Sequence, residues 1–246
     1  MKETTCLLNI GNTRSAIASG AFPDVQHIDY FGTGELLEAW RLPDEARACA
    51  SCVVPAIRDA LTRRYGDRIH FIGIADYPEL DFGGYDTSTL GTDRIANAAA
   101  ARRLLPGKAV AVFDCGTALN SVTINADGHF CGGVILPGRE TALRALSAAA
   151  AQLPEYAVDA PHRLDALARN TRAAILNGVD LGILGAAENI IRAIRRCPGF
   201  AGCTVWFTGG DASFFVKYLP CETGAALPPV PLTLYGVRLA AERLGW

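Results

Sequence analysis

Two short polar turns in this sequence have the residue types needed to hold a chain of anionic oxygens. The first is Asn9-Ile10-Gly11-Asn12-Thr13-Arg14, followed at once by Ser15-Ala16. Gly11 lets backbone approach a ligand closely, and Asn12 and Thr13 set short donors beside free backbone N–H groups. The second is Asp114-Cys115-Gly116-Thr117-Ala118. It repeats the first at a constant offset of 105 residues, pairing Asn9 with Asp114, Gly11 with Gly116 and Asn12 with Thr117. A Gly-Asn pair by itself more often marks a plain hairpin turn; the recurrence is what points to phosphate. A third turn, Thr208-Gly209-Gly210-Asp211, fits the same scheme, because paired glycines let backbone lie flat against a planar or anionic group.

An acid and an arginine stand together in Gly91-Thr92-Asp93-Arg94, at the end of a polar, glycine-rich stretch that begins after Leu80. Irregular segments of such length in compact domains tend to be functional. Asp93 has two readings: the N-cap of a helix over residues 94–105, or a carboxylate that works as a base beside an arginine able to take an anionic group bidentately.

These residues need a scaffold. Apolar strands lead into the first two turns, and further strands are read at residues 15–19 and 27–31, with a loop over Gly20–Asp24. A short helix at 35–41, a buried strand at 48–54, a helix at 56–65 and a strand at 69–74 complete the first half. The second half reads as a hairpin over 108–125, a strand at 128–134, helices at 139–153 and 171–196 joined by a linker at 159–170, a strand from Thr204, and helices at 212–218 and 232–244. Mixed strands and helices indicate an α/β fold, and the recurrence makes it a duplicated one. Domains are placed at 1–105 and 106–246, an arrangement in which the two turns can face each other across a cleft and grip opposite ends of a phosphate chain.

Net charge is −2 and half the residues are apolar, which argues against a nucleic-acid surface. No apolar run is read as approaching the roughly 18 to 20 residues that cross a membrane, and the first five residues carry no signal-peptide core, so a cytoplasmic protein is expected. The eight cysteines are expected as reduced thiols. Cys49-Ala-Ser-Cys52 has no second pair at zinc spacing and is read as structural. The four histidines, His27, His70, His129 and His162, are read as isolated from one another and from paired carboxylates, which gives no histidine metal site.

In their order along the chain, Leu7-Leu-Asn-Ile-Gly-Asn-Thr-Arg14, Ser51-Cys-Val-Val-Pro55, Gly91-Thr-Asp-Arg94, Asp114-Cys-Gly-Thr-Ala118, Gly132-Gly-Val-Ile-Leu-Pro-Gly138, Asn170-Thr171 and Thr208-Gly-Gly-Asp-Ala212 resemble the motifs of type III pantothenate kinases. Those enzymes belong to the acetate and sugar kinase, Hsp70 and actin superfamily. The resemblance implies a duplicated ribonuclease H-like, actin-like ATPase fold with two domains around a nucleotide cleft. It implies ATP-dependent phosphorylation of pantothenate to 4'-phosphopantothenate, the first step of coenzyme A synthesis. Asp93 would be the general base, with Tyr85, Gly91, Thr92, Arg94 and, across a homodimer interface, Thr171 holding pantothenate. Asn9 to Ala16, Thr117, Gly209 and Gly210 would border ATP with its Mg2+, and Asp114 would help bind a monovalent cation, K+ or NH4+. Three features depart from the family pattern. Asn9 stands where the family has Asp, Val122 where it usually has an acid, and Tyr85 lies one residue closer to Gly91 than expected. A neutral amide is a poorer magnesium ligand than a carboxylate, so the alternative is a catalytically impaired relative acting as a binding or regulatory protein.

Overall fold

A computed structural model describes residues 5–19, 27–158 and 164–246. The loop read at Gly20–Asp24, His162 and the first part of the 159–170 linker lie outside them. The chain divides into two compact units, one of Met1–Gly107, Asp127–Cys131 and Pro229–Trp246, the other of Lys108–Ala126 and Gly132–Pro228. The division read at residue 105 follows chain order, whereas the last eighteen residues group with the first unit.

In the first unit, strands β1 (Thr5–Ile10), β2 (Arg14–Ser19), β3 (Ile28–Gly32), β4 (Arg47–Cys52) and β5 (Ile69–Phe71) form a sheet in the order β3-β2-β1-β4-β5. β1 pairs antiparallel with β2 and parallel with β4. A parallel central strand needs cover on both faces, and β1 is buried nearly throughout. One face packs Cys6, Leu8 and Ile10 against Leu36 of helix α1 (Leu36–Ala39) and Ile57 and Leu61 of α2 (Pro55–Tyr65). Pro55 opens α2 at the position where a missing N–H leaves nothing unpaired. The other face takes the C-terminal helix α7 (Leu232–Arg243), which packs on β1, β4 and α3 (Thr92–Leu104). Ala96 and Ala98 to Ala101 are fully buried on α3, and a Cβ on Gly236 of α7 would lie 2.1 Å from the Ala96 carbonyl. The two helix backbones are therefore in direct contact.

In the second unit, β6 (Val110–Cys115) and β7 (Ala118–Ile124) form the hairpin; β8 (Phe130–Gly132) straddles the division, since Phe130 and Cys131 group with the first unit, and β9 (Ile135–Pro137), β10 (Thr204–Thr208) and β11 (Ala225–Ala226) complete the sheet in the order β11-β10-β6-β7, with β9 also on β7. β6 pairs antiparallel with β7 and parallel with β10, as β1 does with β2 and β4. Thr5–Ile10 and Val110–Cys115 stand at the same 105-residue offset as the turns, so the duplication extends to strand bounds and strand order. Phe113, Phe207 and Phe215 stack in sequence, with centroids 4.8 Å and 5.2 Å apart, at the centre of the core. Helices α4 (Arg139–Ala149), α5 (Thr171–Arg196) and α6 (Ala212–Tyr218) complete this unit.

Some elements are shorter than read. The last strand of the first half, β5, stops at Phe71, and α4 stops at Ala149. The reading that no apolar run reaches membrane-spanning length is corrected by α5, whose 26 residues are long and apolar enough by composition. Its apolar face, with Ile183, Leu184, Ala187 and Ile191, lies in the second unit's core, and its buried Asp180 is bonded to Arg139. The histidines are also less isolated than read: His27 lies 2.9 Å from Asp29, His70 3.0 Å from Asp76 and His129 3.5 Å from Asp81. No cluster of three metal-ligating acids, histidines or cysteines occurs among the described residues. The eight cysteines are free thiols; Cys49 is fully buried and burial pushes its thiol up to about 12, which suits a packing role.

Candidate active site

The first unit gathers five of the residues singled out for substrate at the start of α3. Gly91, not Asp93, is the N-cap, and Asp93 sits inside the first helical turn. Its Oδ1 accepts from the Arg94 backbone N–H at 2.8 Å, and a Cβ on Gly91 would lie 2.5 Å from that oxygen. Glycine at 91 thus makes room for the carboxylate. Burial pushes the Asp93 carboxyl above its usual range, and the Arg94 N–H and guanidinium charge offset only part of that. A carboxylate held above its ordinary range at a helix entrance suits proton transfer.

Arg94 is buried, donates to the Tyr85 hydroxyl at 3.3 Å, and lies over the Tyr85 and Phe130 rings at 6.0 Å and 5.9 Å. Tyr85 meets Phe130 edge to face at 4.8 Å, with Phe82 tilted against the same ring at 5.3 Å. This aromatic wall orients the guanidinium and keeps it from free hydration. Thr92 has a different part from the one expected of it. Its hydroxyl accepts from the Cys52 N–H at 2.9 Å and bonds the fully buried Ser51 hydroxyl at 3.0 Å, fastening the helix entrance to the end of β4.

The first of the two turns read for phosphate lies in the same unit. Asn9 and Ile10 end β1, in register with Ala16 and Ser15 of β2, and Gly11 N–H donates to the Arg14 carbonyl at 3.1 Å. Thr33 straps this turn from behind. Its hydroxyl donates to the Gly11 carbonyl at 2.8 Å and so accepts from Ser15, 2.9 Å away, while its N–H donates to the Thr13 carbonyl. Asn12, Thr13 and Arg14 are exposed at its tip.

The second unit carries Asp114, Thr117, Gly209 and Gly210. Asp114 is in register with Asn120 on β7 and Thr208 on β10. Gly209, at φ +91°, presses on this turn; a Cβ there would lie 2.6 Å from both Asp114 Oδ1 and the Cys115 carbonyl. From the other side Gly138 N–H and the Thr141 hydroxyl both donate to the Thr117 carbonyl, at 3.0 Å and 2.7 Å. Thr171 opens α5 behind its N-cap Asn170, whose side chain accepts from Ala173 N–H at 2.9 Å. It borders an open groove of about 670 Å³ in the second unit with Leu146, Leu153, Ile175 and Gly178.

Sequence reasoning missed Thr33, Phe130, Ser51 as a hydrogen-bond partner, and Arg139. A threonine in a loop and a phenylalanine in a strand carry no local sign of such partners. Arg139 did have a signal, since it directly follows the Pro137-Gly138 end of a quoted motif.

The family model for type III pantothenate kinase matches residues 7–193. The type III pantothenate kinase of Gluconobacter oxydans is 35% identical over 201 residues, covering 80% of this chain and 72% of that protein. That of Frankia alni is 40% identical over 153 residues, covering 62% of this chain and 58% of that protein. Among solved structures, a Campylobacter jejuni protein described as a conserved Baf family transcriptional activator superposes with a TM-score of 0.66 at 20% identity, covering 98% of this chain and 100% of that one. The inorganic polyphosphate/ATP-glucomannokinase of an Arthrobacter strain superposes at 0.52 and 12% identity, covering 98% and 100%. At those identities the structures speak for the fold, which is the duplicated α/β architecture of actin-like and sugar-kinase ATPases. With three quarters of its length matched by the family model, and with a 35% identical relative covered over 72% of its own length, this chain belongs to the type III pantothenate kinase family.

Proposed function

We propose that this chain transfers the γ-phosphoryl group of ATP to the hydroxyl of pantothenate, giving 4'-phosphopantothenate for coenzyme A synthesis. The observation that carries this reading is the Gly91–Arg94 helix entrance, a carboxylate raised by burial beside a buried arginine with an aromatic wall. Asp93 Oδ1 is held by the Arg94 N–H, which leaves Oδ2 to take the hydroxyl proton as the phosphoryl group moves. Arg94, steadied by Tyr85, would receive the pantothenate carboxylate. Gly11 to Ser15 and Gly116 to Ala118 would give backbone N–H groups to the phosphates, and the Gly209–Gly210 turn would take adenosine. Phosphoryl transfer rests on positioning and charge neutralisation rather than on covalent chemistry by the protein.

Magnesium enters with the nucleotide and supplies charge neutralisation on the phosphates. Such an ion is commonly held by one or two carboxylates besides phosphate and water, and Asn9, at the end of β1, would offer it an amide oxygen. Asp114 would help hold K+ or NH4+. Thr171 would meet pantothenate through a homodimer, in a two-domain cytoplasmic enzyme that acts on small molecules rather than nucleic acid or membrane.

The test is ADP release with ATP, Mg2+ and K+, with and without pantothenate, and product identification by phosphorus NMR. Pantothenate-dependent release with a new phosphomonoester signal is the expected result. A folded protein that binds ATP yet gives no such release overturns it and favours the second reading, which Asn9 motivates: a relative that binds these ligands without turning them over.

A further inference from the structure

Arg139 donates three hydrogen bonds to two carboxylates in the second unit, and nothing in the proposed chemistry requires it. It is buried to 6% exposure one residue into α4. Its Nε and Nη2 donate to the two oxygens of Asp180 on α5, at 2.7 Å and 2.9 Å. Its Nη1 donates to Asp211 Oδ1 at 3.2 Å, and its guanidinium lies 3.8 Å from the centre of the Phe214 ring. A fork this fully engaged has one geometry.

Its two attachments belong to different ligand turns. Through the chain it continues from Gly138, whose N–H donates to the Thr117 carbonyl and whose α-carbon lies so near Gly116 that a Cβ would come within 2.0 Å of that residue's carbonyl oxygen. Through its side chain it reaches Asp211, whose own N–H donates to the Cys115 carbonyl at 3.1 Å. The contacts close a ring from Cys115 and Gly116 through Thr117, Gly138, Arg139 and Asp211 back to Cys115, and Asp180 anchors that ring to the long helix.

We infer that Arg139 is a positioning residue that sets the spacing between the phosphate turn at Asp114–Ala118 and the adenosine turn at Thr208–Ala212. This rests on the assignment of those turns to nucleotide. A ligand that engages both turns feels the spacing; one that engages the phosphate turn alone does not. Loss of the fork lets the Asp211 turn drift, and small misplacements weaken recognition steeply.

The experiment compares wild type with Arg139→Met, with Arg139→Lys, and with the double variant Arg139→Met and Asp180→Leu, in which no buried carboxylate is left unpaired. Calorimetry reads the affinity for ADP and for inorganic tripolyphosphate, and steady-state assays read KM for ATP and for pantothenate. The expected result is roughly a tenfold or greater loss for ADP and a matching rise in KM for ATP in the methionine variants. Tripolyphosphate affinity and the KM for pantothenate stay as in wild type, and lysine, which reaches one carboxylate, falls between. Equal loss for ADP and tripolyphosphate, in step with a lower melting temperature, means that Arg139 serves stability alone and overturns the inference. ADP affinity unchanged in the double variant overturns it too. Wild type that binds tripolyphosphate but gains nothing from the adenosine of ADP removes the adenosine turn itself, whereas wild type that binds ADP without phosphorylating pantothenate refutes the proposed reaction and leaves this inference standing.

Discussion

Replacing Asp93 with Asn should raise stability at neutral pH while it removes activity, because the structure holds that carboxylate in a place that disfavours its charge. Burial raises its carboxyl above the reference value of 3.8, and the partial opposing pull comes from the Arg94 N–H and charge. The folded state therefore holds the proton to higher pH than the unfolded chain does. Stability from this group is fully present below the unfolded value and is lost as pH rises through the folded one, so at pH 8 the ionised carboxylate is a net burden on the fold. Asparagine has the same shape, and its amide oxygen can keep the Arg94 N–H bond, so the burden is lifted without a cavity. A gain of about 1 kcal/mol is typical for relieving a functional site in this way. A missing general base lowers kcat by about a hundredfold to ten-thousandfold. Melts at pH 8 and pH 5 and coupled assays of ADP release decide the matter. The reasoning requires the stability advantage of the variant to shrink as pH falls toward the ordinary carboxylate range. A variant that is less stable at pH 8, or that keeps turnover within about threefold of wild type, would show that Asp93 is an ordinary helix-entrance residue.

Val122 is 1% exposed, so Val122→Asp buries an unpaired charge and should lower stability by at least about 3 kcal/mol, read as a fall in the urea midpoint; an unshifted midpoint would refute this. Asn9→Asp, at the partly buried end of β1, should lower the Mg2+ concentration that gives half-maximal turnover by about tenfold. No change in the Mg2+ titration would remove residue 9 from the metal's surroundings. Gly236→Ala forces a Cβ to 2.1 Å from the Ala96 carbonyl and should lower the melting temperature by roughly 5–10 °C, with turnover falling too because α3 carries Asp93. A melt superimposable on wild type would mean that α7 does not press on α3.

Periodicity located most of the elements, and α5 and α6 have the bounds that the sequence suggested. It could do so because a buried stripe at helical spacing, or an apolar run before a glycine turn, is a local property. The parts that were not legible are contacts between residues far apart in sequence. The Tyr77 hydroxyl donates to the Gly236 carbonyl across 159 positions, which is how the C-terminal helix comes to lie on the first unit. Arg139 and Asp180 are 41 positions apart and Ser15 and Thr33 are 18 apart. In each case one side chain alone looks ordinary, and only the partner gives it a role. Asp93 shows the limit within a single turn. An acid next to a helix start reads as a cap, but Gly91 has the capping backbone conformation, and the acid falls two residues inside the helix.

The duplication also separates the two departures from the family pattern. At the 105-residue offset Val122 answers to Ile17, and both are buried aliphatic residues on the second strand of their hairpins, at 1% and 3% exposure. Val122 faces Val112 in register, whereas the residue beside Asp114 is Asn120. A valine there is what the core of either repeat calls for, and its lack of charge takes nothing from the atoms around Asp114. Asn9 is different, because it ends the strand at the lip of the phosphate turn, where its counterpart in the second repeat is Asp114 itself. One repeat has kept its carboxylate and the other has exchanged it for an amide of the same size. A magnesium ion that comes with the nucleotide draws most of its ligands from phosphate and water, so under the proposed function an amide at residue 9 would weaken the metal's hold without abolishing the means of transfer. With Asp93 and Arg94 both in place, that weighs for a kinase with a raised magnesium requirement over a protein that only binds.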